Sequence, residues 1–223
     1  MLDERLSLAA ELYQPCALGA DIGTDHGLLP CHLLKENICQ KMIFADVSAK
    51  ALRHAEDQVK HQRLEGRAHL ICADGLDALV EKCGCVSIMG MGGETIAGIL
   101  TRGQDKLHGA VLVLSAHTDL HLVRHAVQEI GHHIVREELC RAAGRFYVVW
   151  RAEPGAAPLT DEEIRFGPLL MRHMTPQLRE YITWRVAVLN ERLTGLRSAR
   201  EPDAAAIAAI QRDLAFYHAR LEE

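Results

Sequence analysis

The chain has 223 residues, 48% hydrophobic and 25% charged, and 25 Lys and Arg stand against 30 Asp and Glu for a formal charge of -5. That length suits one α/β domain of about 150 residues plus an appendage, and the acidic balance excludes a whole-molecule positive field for nucleic acid or an anionic membrane, leaving only a local patch. Seven Cys without a CxxC spacing argue against zinc, thioredoxin chemistry and a disulfide framework; with no run near the roughly 18 apolar residues of a membrane span, a reduced, cytoplasmic protein is expected.

In chain order, Leu6-Ser7-Leu8-Ala9-Ala10-Glu11-Leu12-Tyr13 spaces its apolar residues for a helix that Pro15 stops. Five short apolar runs follow: Ala17 to Asp21, Met42 to Asp46, His69 to Cys72, Val86 to Met89 and Val111 to Ser115. Each is separated from the next by enough chain for a helix, the rhythm of βαβ units and a parallel sheet. Asp119 to Ile130 then places Leu122, Val123, Ala126, Val127 and Ile130 on one helical face, ended by Gly131. His133 to Cys140 and Phe146 to Trp150 are β-type runs joined only by Arg141-Ala142-Ala143-Gly144. That link is too short for a parallel crossover, so the two strands form an antiparallel hairpin. The expected fold class is α/β: a Rossmann-like class I methyltransferase sheet, parallel with an antiparallel last strand.

The segment Glu153-Pro154-Gly155-Ala156-Ala157-Pro158 reads as a linker, which sets residues 1–153 as one domain and 154–223 as a second, helical one. Thr160 with Glu163 makes a capping box, Thr175-Pro176 an N-cap with Pro at the first helical position, and Glu201-Pro202 starts a further helix. Leu178, Ile182, Arg185, Leu189 and Leu193 trace one helical stripe and Ile207, Ile210, Leu214, Tyr217 and Leu221 another. The pair predicts an antiparallel, coiled-coil-like C-terminal helical hairpin.

The chemistry-bearing residues sit at the predicted strand ends. Asp21-Ile22-Gly23-Thr24-Asp25-His26-Gly27 lies between the first strand and an apolar helix, where backbone amides face a ligand. Its D-x-G-x-x-x-G spacing is not the dinucleotide GxGxxG, and carboxylates at Asp21 and Asp25 suit a cofactor with an ammonium group, such as S-adenosylmethionine (SAM). Alone, the loop reads equally as an ordinary β-to-α turn with an aspartate cap. Asp46, followed by Val47, ends the second strand, where an acidic side chain accepts from ribose hydroxyls. Asp74-Gly75-Leu76 follows the third strand and supplies a carboxylate where an adenine amino group would lie. After the fourth strand, Met89 and Gly90 are assigned to the cofactor side and Met91, Gly92, Gly93 and Glu94 to the methyl acceptor. These glycines permit close approach of a flat base, or simply a tight turn.

Together with Arg5-Leu6, Ala45-Asp46-Val47, Ala73-Asp74-Gly75-Leu76, Ile88-Met89-Gly90-Met91-Gly92-Gly93-Glu94 and Gly144-Arg145-Phe146-Tyr147, the 21–30 stretch resembles the bacterial tRNA methyltransferases that modify N1 of adenine 22. The resemblance implies SAM as cofactor and tRNA as partner. Under it, Arg5 and His117 fall on the acceptor side, and Asp25 and His26 become the candidates nearest the reacting centre. Asp25 would accept from the adenine amino group or stabilise the cationic product; its other readings are a loop cap or a ligand to the cofactor ammonium, and His26 would orient it, contact substrate or be structural. Where the family shows Gln-Pro-Asn after the fifth strand, Ser115-Ala116-His117 stands here. That difference keeps open a methyltransferase for another nucleic acid or a small molecule, and a non-catalytic SAM- or RNA-binding protein. His117, His121 and His125 have helical spacing but no completing ligand set, so no metal site is assigned. Arg172, His173, Arg179, Arg185, Arg192, Arg197 and Arg200 read either as the solvated face of the hairpin or as a platform for tRNA phosphates.

Overall fold

The computed structural model describes residues 2–223. Seven strands, β1 (Cys16–Ile22), β2 (Cys39–Asp46), β3 (Ala68–Cys72), β4 (Cys85–Met91), β5 (Val111–Ala116), β6 (His132–Ala142) and β7 (Arg145–Pro154), form one sheet in the order β3-β2-β1-β4-β5-β7-β6. The pairs among β1 to β5 are parallel, whereas β7 runs antiparallel to both β5 and β6. Helices α1 (Glu4–Leu12), α2 (Leu28–Lys35), α3 (Ala49–His61), α4 (Gly93–Gly103) and α5 (Leu120–Glu129) accompany it. This is the predicted Rossmann-like arrangement. The order reverses between β1 and β4, which leaves a crevice at their carboxyl ends, where open α/β sheets bind ligands.

Local chemistry explains the element ends. Asp3 caps α1 by accepting from the Leu6 N–H at 2.8 Å, so the helix starts two residues earlier than its apolar spacing suggests. The β6–β7 hairpin closes on Ala143 (φ +47°) and Gly144 (φ +77°), two left-handed residues, as a tight two-residue turn requires. The central strands are buried on both faces: every residue of β5 is buried, as are Val86, Ser87, Ile88 and Met89 of β4. That accounts for their reading as unbroken apolar runs. The Tyr13 hydroxyl inserts between the strands, 2.8 Å from the Cys85 carbonyl oxygen while accepting from the Ala20 N–H at 3.1 Å.

On α5 the buried face is Val123, Arg124, Ala126 and Val127, whereas Leu122, expected inward, is 36% exposed. Arg124, 1% exposed, takes an inward place on that helix. Its Nε donates to Glu137 Oε1 at 3.0 Å, and the same oxygen accepts from Trp150 Nε1 at 2.8 Å. The Arg124 Nη1 donates to the Ile164 and Arg165 carbonyls, at 3.1 and 3.2 Å, in the short helix α6 (Asp161–Phe166).

The chain divides into two compact units, Met1–Leu169 and Leu170–Glu223. The first runs past the Pro/Gly/Ala linker because Arg124 and Glu137 hold α6 and the Leu169 N–H, which donates to Glu137 Oε2 at 3.0 Å. The second unit contains α7 (Pro176–Ser198) and α8 (Ala204–Glu222). Leu178, Ile182, Leu189 and Leu193 are buried as the stripe predicts, joined by Tyr181, and Ile210, Leu214 and Tyr217 are buried on α8. An Arg179 guanidinium at the start of α7 donates to the Leu221 carbonyl near the end of α8 at 2.7 Å, which makes the pair antiparallel. Asp203, rather than the Glu201-Pro202 step, caps α8, accepting from the Ala206 N–H at 2.9 Å. No helix among the described residues is long and apolar enough to cross a membrane.

Candidate functional site

A cavity of about 600 Å³ opens at the carboxyl ends of β1, β2 and β4. Three strand ends bring four carboxylates to it: Asp21 and Asp25 at the end of β1, Asp46 at the end of β2 and Asp74 after β3. Asp21, next to last in β1, is only 6% exposed and accepts from Ser87 Oγ of β4 at 2.6 Å. Burial pushes its carboxyl pKa up, and the Ser87 hydrogen bond offsets part of that rise. The N–H groups of Gly23 and Thr24 both donate to the Ala45 carbonyl, at 2.8 and 2.9 Å, and so fix the loop against β2. The Thr24 side chain, buried beside the cavity, also lowers the Asp21 pKa by hydrogen bonding to its carboxyl.

Asp25 is exposed and holds a left-handed backbone at φ +45°. Its amide lies 3.4 Å from Asp46 Oδ2, its carboxylate 3.7 Å from His26 Nε2, and the His26 ring is 5.1 Å from that of His54. Asp46 also accepts from the Ser48 N–H at 2.8 Å, which aims its carboxylate back over the β1 loop, and Val47 beside it is 74% exposed at the rim. Asp74 is 3.3 Å from Arg102 of α4. On the β4 side the pairing with β5 slips between Met89 and Met91, and Gly90, at φ +79°, carries the irregularity.

The wall nearest α1 is built from three elements. Arg5 Nη1 of α1 donates to His117 Nε2 at 3.2 Å, and its guanidinium lies 5.1 Å above the Tyr147 ring of β7. The His117 and Tyr147 rings meet edge-on at 5.8 Å. Arg5 can only donate, so Nε2 is the lone-pair nitrogen and Nδ1 carries the imidazole proton. Burial and then the Arg5 and Arg145 charges lower the His117 pKa and keep the ring neutral.

Of the predicted residues, Arg5, Asp21, Gly23, Thr24, Asp25, His26, Asp46, Val47, Asp74, Gly75, Met89, Gly90, Met91 and His117 all line the cavity. Gly27, Leu76, Gly92, Gly93 and Glu94 are not among its lining residues. Gly27 is the left-handed N-cap of α2, where a Cβ would lie 3.0 Å from the Phe44 ring. Leu76 is buried under Gly103, and a Cβ on Gly93 would fall 2.4 Å from the Asp119 carbonyl oxygen. Sequence reasoning missed the apolar lining, Leu6, Ile22, Leu28, Leu29 and Ile99, together with Thr95 and the Tyr147 platform. Thr95 and Ile99 are four apart on α4, a helical spacing that was available to read.

The arrangement suits a ligand that combines a cation, hydroxyls and a flat base: four carboxylates stand over apolar Leu28, Met89 and Ile99, with Arg5 as the cationic side chain of the lining. A diphosphate would meet those carboxylates with little to offset them, so the residues fit SAM and disfavour a dinucleotide. Among the described residues no group of three or more His, Cys, Asp or Glu is placed to hold a metal ion.

The methyltransferase domain pattern matches residues 2–150. The tRNA (adenine(22)-N(1))-methyltransferase of Bacillus subtilis is 30% identical over 156 residues, which span 69% of this chain and 66% of that protein. The structure of Streptococcus pneumoniae Sp1610 in complex with S-adenosyl-L-methionine is 26% identical and superimposes with a TM-score of 0.87 over 99% of this chain and 100% of that one. The B. subtilis TrmK crystal structure, at 24% identity, shares the fold with a TM-score of 0.80 over 100% of this chain and 96% of its own. On a match that takes in the whole β1-to-β5 core and its cavity, this chain belongs to the methyltransferase domain family.

Proposed function

We propose that this chain is a SAM-dependent tRNA methyltransferase that transfers a methyl group to N1 of adenine 22. The observation that carries the reading is the convergence of Asp21, Asp25, Asp46 and Asp74 on one cavity that Arg5 and His117 also line, with Tyr147 packed against both. The B. subtilis relative supports the substrate, and the SAM complex of the S. pneumoniae protein supports the cofactor. Bound SAM supplies an electrophilic sulfonium methyl. Adenine N1 has an in-plane lone pair and needs no proton removed before attack, so the residues act mainly by placing the two reactants in line.

In this reading Asp21 takes the cofactor ammonium, Asp46 the ribose hydroxyls and Asp74 the adenine amino group, with Gly23, Thr24, Val47, Gly75, Met89 and Gly90 shaping the rest of that half. Asp25, exposed beside His26, stabilises the cationic methyladenine or accepts from its amino group. Met91 faces the acceptor, and the base leaves the tRNA stack to reach it. Arg172, Arg192, Arg197 and Arg200, all exposed in the second unit, serve as contacts to tRNA phosphates in the cytoplasm. Incubation with methyl-labelled SAM and an unmodified tRNA transcript, followed by nucleoside mapping, tests this. Label in 1-methyladenosine at position 22 is expected; tight SAM binding without transfer to any tRNA would favour a non-catalytic SAM-binding protein.

A further inference from the structure

We propose that neutral His117 is a positioning residue that holds the Arg5 guanidinium toward the cavity as an arm for an anionic oxygen of a bound ligand, so that protonation of His117 releases the arm. The inference rests on the methyl-transfer reading of the cavity. Its anionic oxygen is either the carboxylate of the cofactor's amino-acid part or a phosphate of the acceptor nucleotide.

The geometry defines the arm. Arg5 leaves the first turn of α1, lies over Tyr147 at 5.1 Å, and is held at Nη1 by His117 Nε2 at 3.2 Å. Its Nε is buried and makes no hydrogen bond, so the guanidinium enters the cavity wall with donor capacity unused. His117 is itself anchored, its N–H donating to the Met91 carbonyl at 2.9 Å. A lone pair at Nε2 is what keeps the pair together; a proton there would set two cations 3.2 Å apart with no acceptor between them.

Charges of both signs face His117, and the two arginines favour the neutral ring. From α1 there is Arg5; from β7, Arg145 and the Tyr147 hydroxyl; on its own loop, Asp119; across the cavity, Asp21, Asp25 and His26. Burial, and then the two arginines, lowers its pKa, so release of the arm needs a more acidic solution than an ordinary histidine would. Neither a phosphodiester nor the cofactor carboxylate changes charge there, so a change in ligand affinity reports on the protein.

The test is steady-state methyl transfer from about pH 5 to 8, with KM for SAM and KM for the tRNA transcript measured separately for wild type, H117N, H117Q and H117A. The wild-type KM for one of the two ligands is expected to rise roughly tenfold on acidification. In H117N and H117Q an amide oxygen accepts from Arg5 at every pH, so that rise should disappear. In H117A, with no acceptor, KM should be raised throughout. A rise confined to SAM assigns the arm to the carboxylate, and one confined to tRNA assigns it to phosphate. The proposal is overturned if H117N and H117Q keep the wild-type acid limb, or if H117A has wild-type KM values for both ligands. If wild type transfers no methyl group at neutral pH, the parent reading fails instead. Equilibrium binding of SAM and of tRNA across the same pH range then decides the role of His117.

Discussion

Replacing Arg124 with Met removes one half of a buried ion pair and retains most of the side-chain volume. Glu137 would keep the Trp150 indole and the Leu169 N–H as donors at 2.8 and 3.0 Å, but would lose the Arg124 guanidinium that neutralises its charge inside the protein. The carbonyls of Ile164 and Arg165 would lose their guanidinium donor at the same time. Leaving a buried charge uncompensated costs about 3–5 kcal/mol. For a unit of this size, each kcal/mol corresponds to roughly 2–4 °C in Tm, so a fall of roughly 6–20 °C is expected. Thermal melts monitored by circular dichroism, with urea titrations at 25 °C, measure it. Removing the second charge as well, in R124M/E137Q, should recover part of the loss and give a coupling of at least about 1 kcal/mol in the double-mutant cycle. A drop below about 2 °C for R124M, or additive single effects, would refute the reasoning.

Three further outcomes follow from the site and its supports. In Gly93→Ala the new Cβ meets the Asp119 and Thr118 carbonyl oxygens, so the loop that carries His117 must move. A stability loss of about 1–3 kcal/mol together with loss of methyl transfer is expected, and a variant that behaves like wild type in both would contradict the backbone contact. Asp21 has a folded pKa raised above its unfolded value, so its favourable contribution exists below the unfolded value and is lost as pH rises through the folded one. Asp21→Asn should therefore melt higher than wild type at pH 7 without ligand, the margin closing on acidification through the carboxylate range, while SAM ceases to raise its Tm; a lower Tm at pH 7 would count against burial as the dominant cause. Truncation after Leu169 should keep SAM binding and weaken tRNA binding, both measurable by titration calorimetry. Truncation after Glu153 should also destabilise the first unit, because α6 supplies carbonyls to Arg124. Equal stability of the two truncations would remove α6 from that unit.

The parallel core was legible because β1, β2, β4 and β5 are apolar on both faces, and the hairpin because a four-residue link admits no crossover. The loop end carboxylates were legible for a related reason: strand ends in such a sheet converge on one edge, so Asp21, Asp46 and Asp74 could be placed together before any coordinates. Residues whose role depends on long-range partners were not. Arg124 sits where a helical wheel predicts a boundary position, and only the distant Glu137 and Trp150 make it an interior residue. Gly92 and Gly93 were assigned to substrate on composition, and the closeness of Gly93 to the β5–α5 loop cannot be read from neighbours in sequence. Leu122 looked inward by periodicity because the pattern registers spacing and not what stands opposite.

The reversal of strand order between β1 and β4 has an evolutionary consequence. The carboxylates assigned to the cofactor arrive from the β1, β2 and β3 ends, while Arg5, His117 and Tyr147 come from α1, the β5 loop and the closing hairpin. On the proposed reading, mutation can therefore reshape that wall while the carboxylate-bearing strand ends stay as they are. A change of substrate preference then needs no intermediate that has lost its methyl donor, and His117 stands on the wall where such a change would fall.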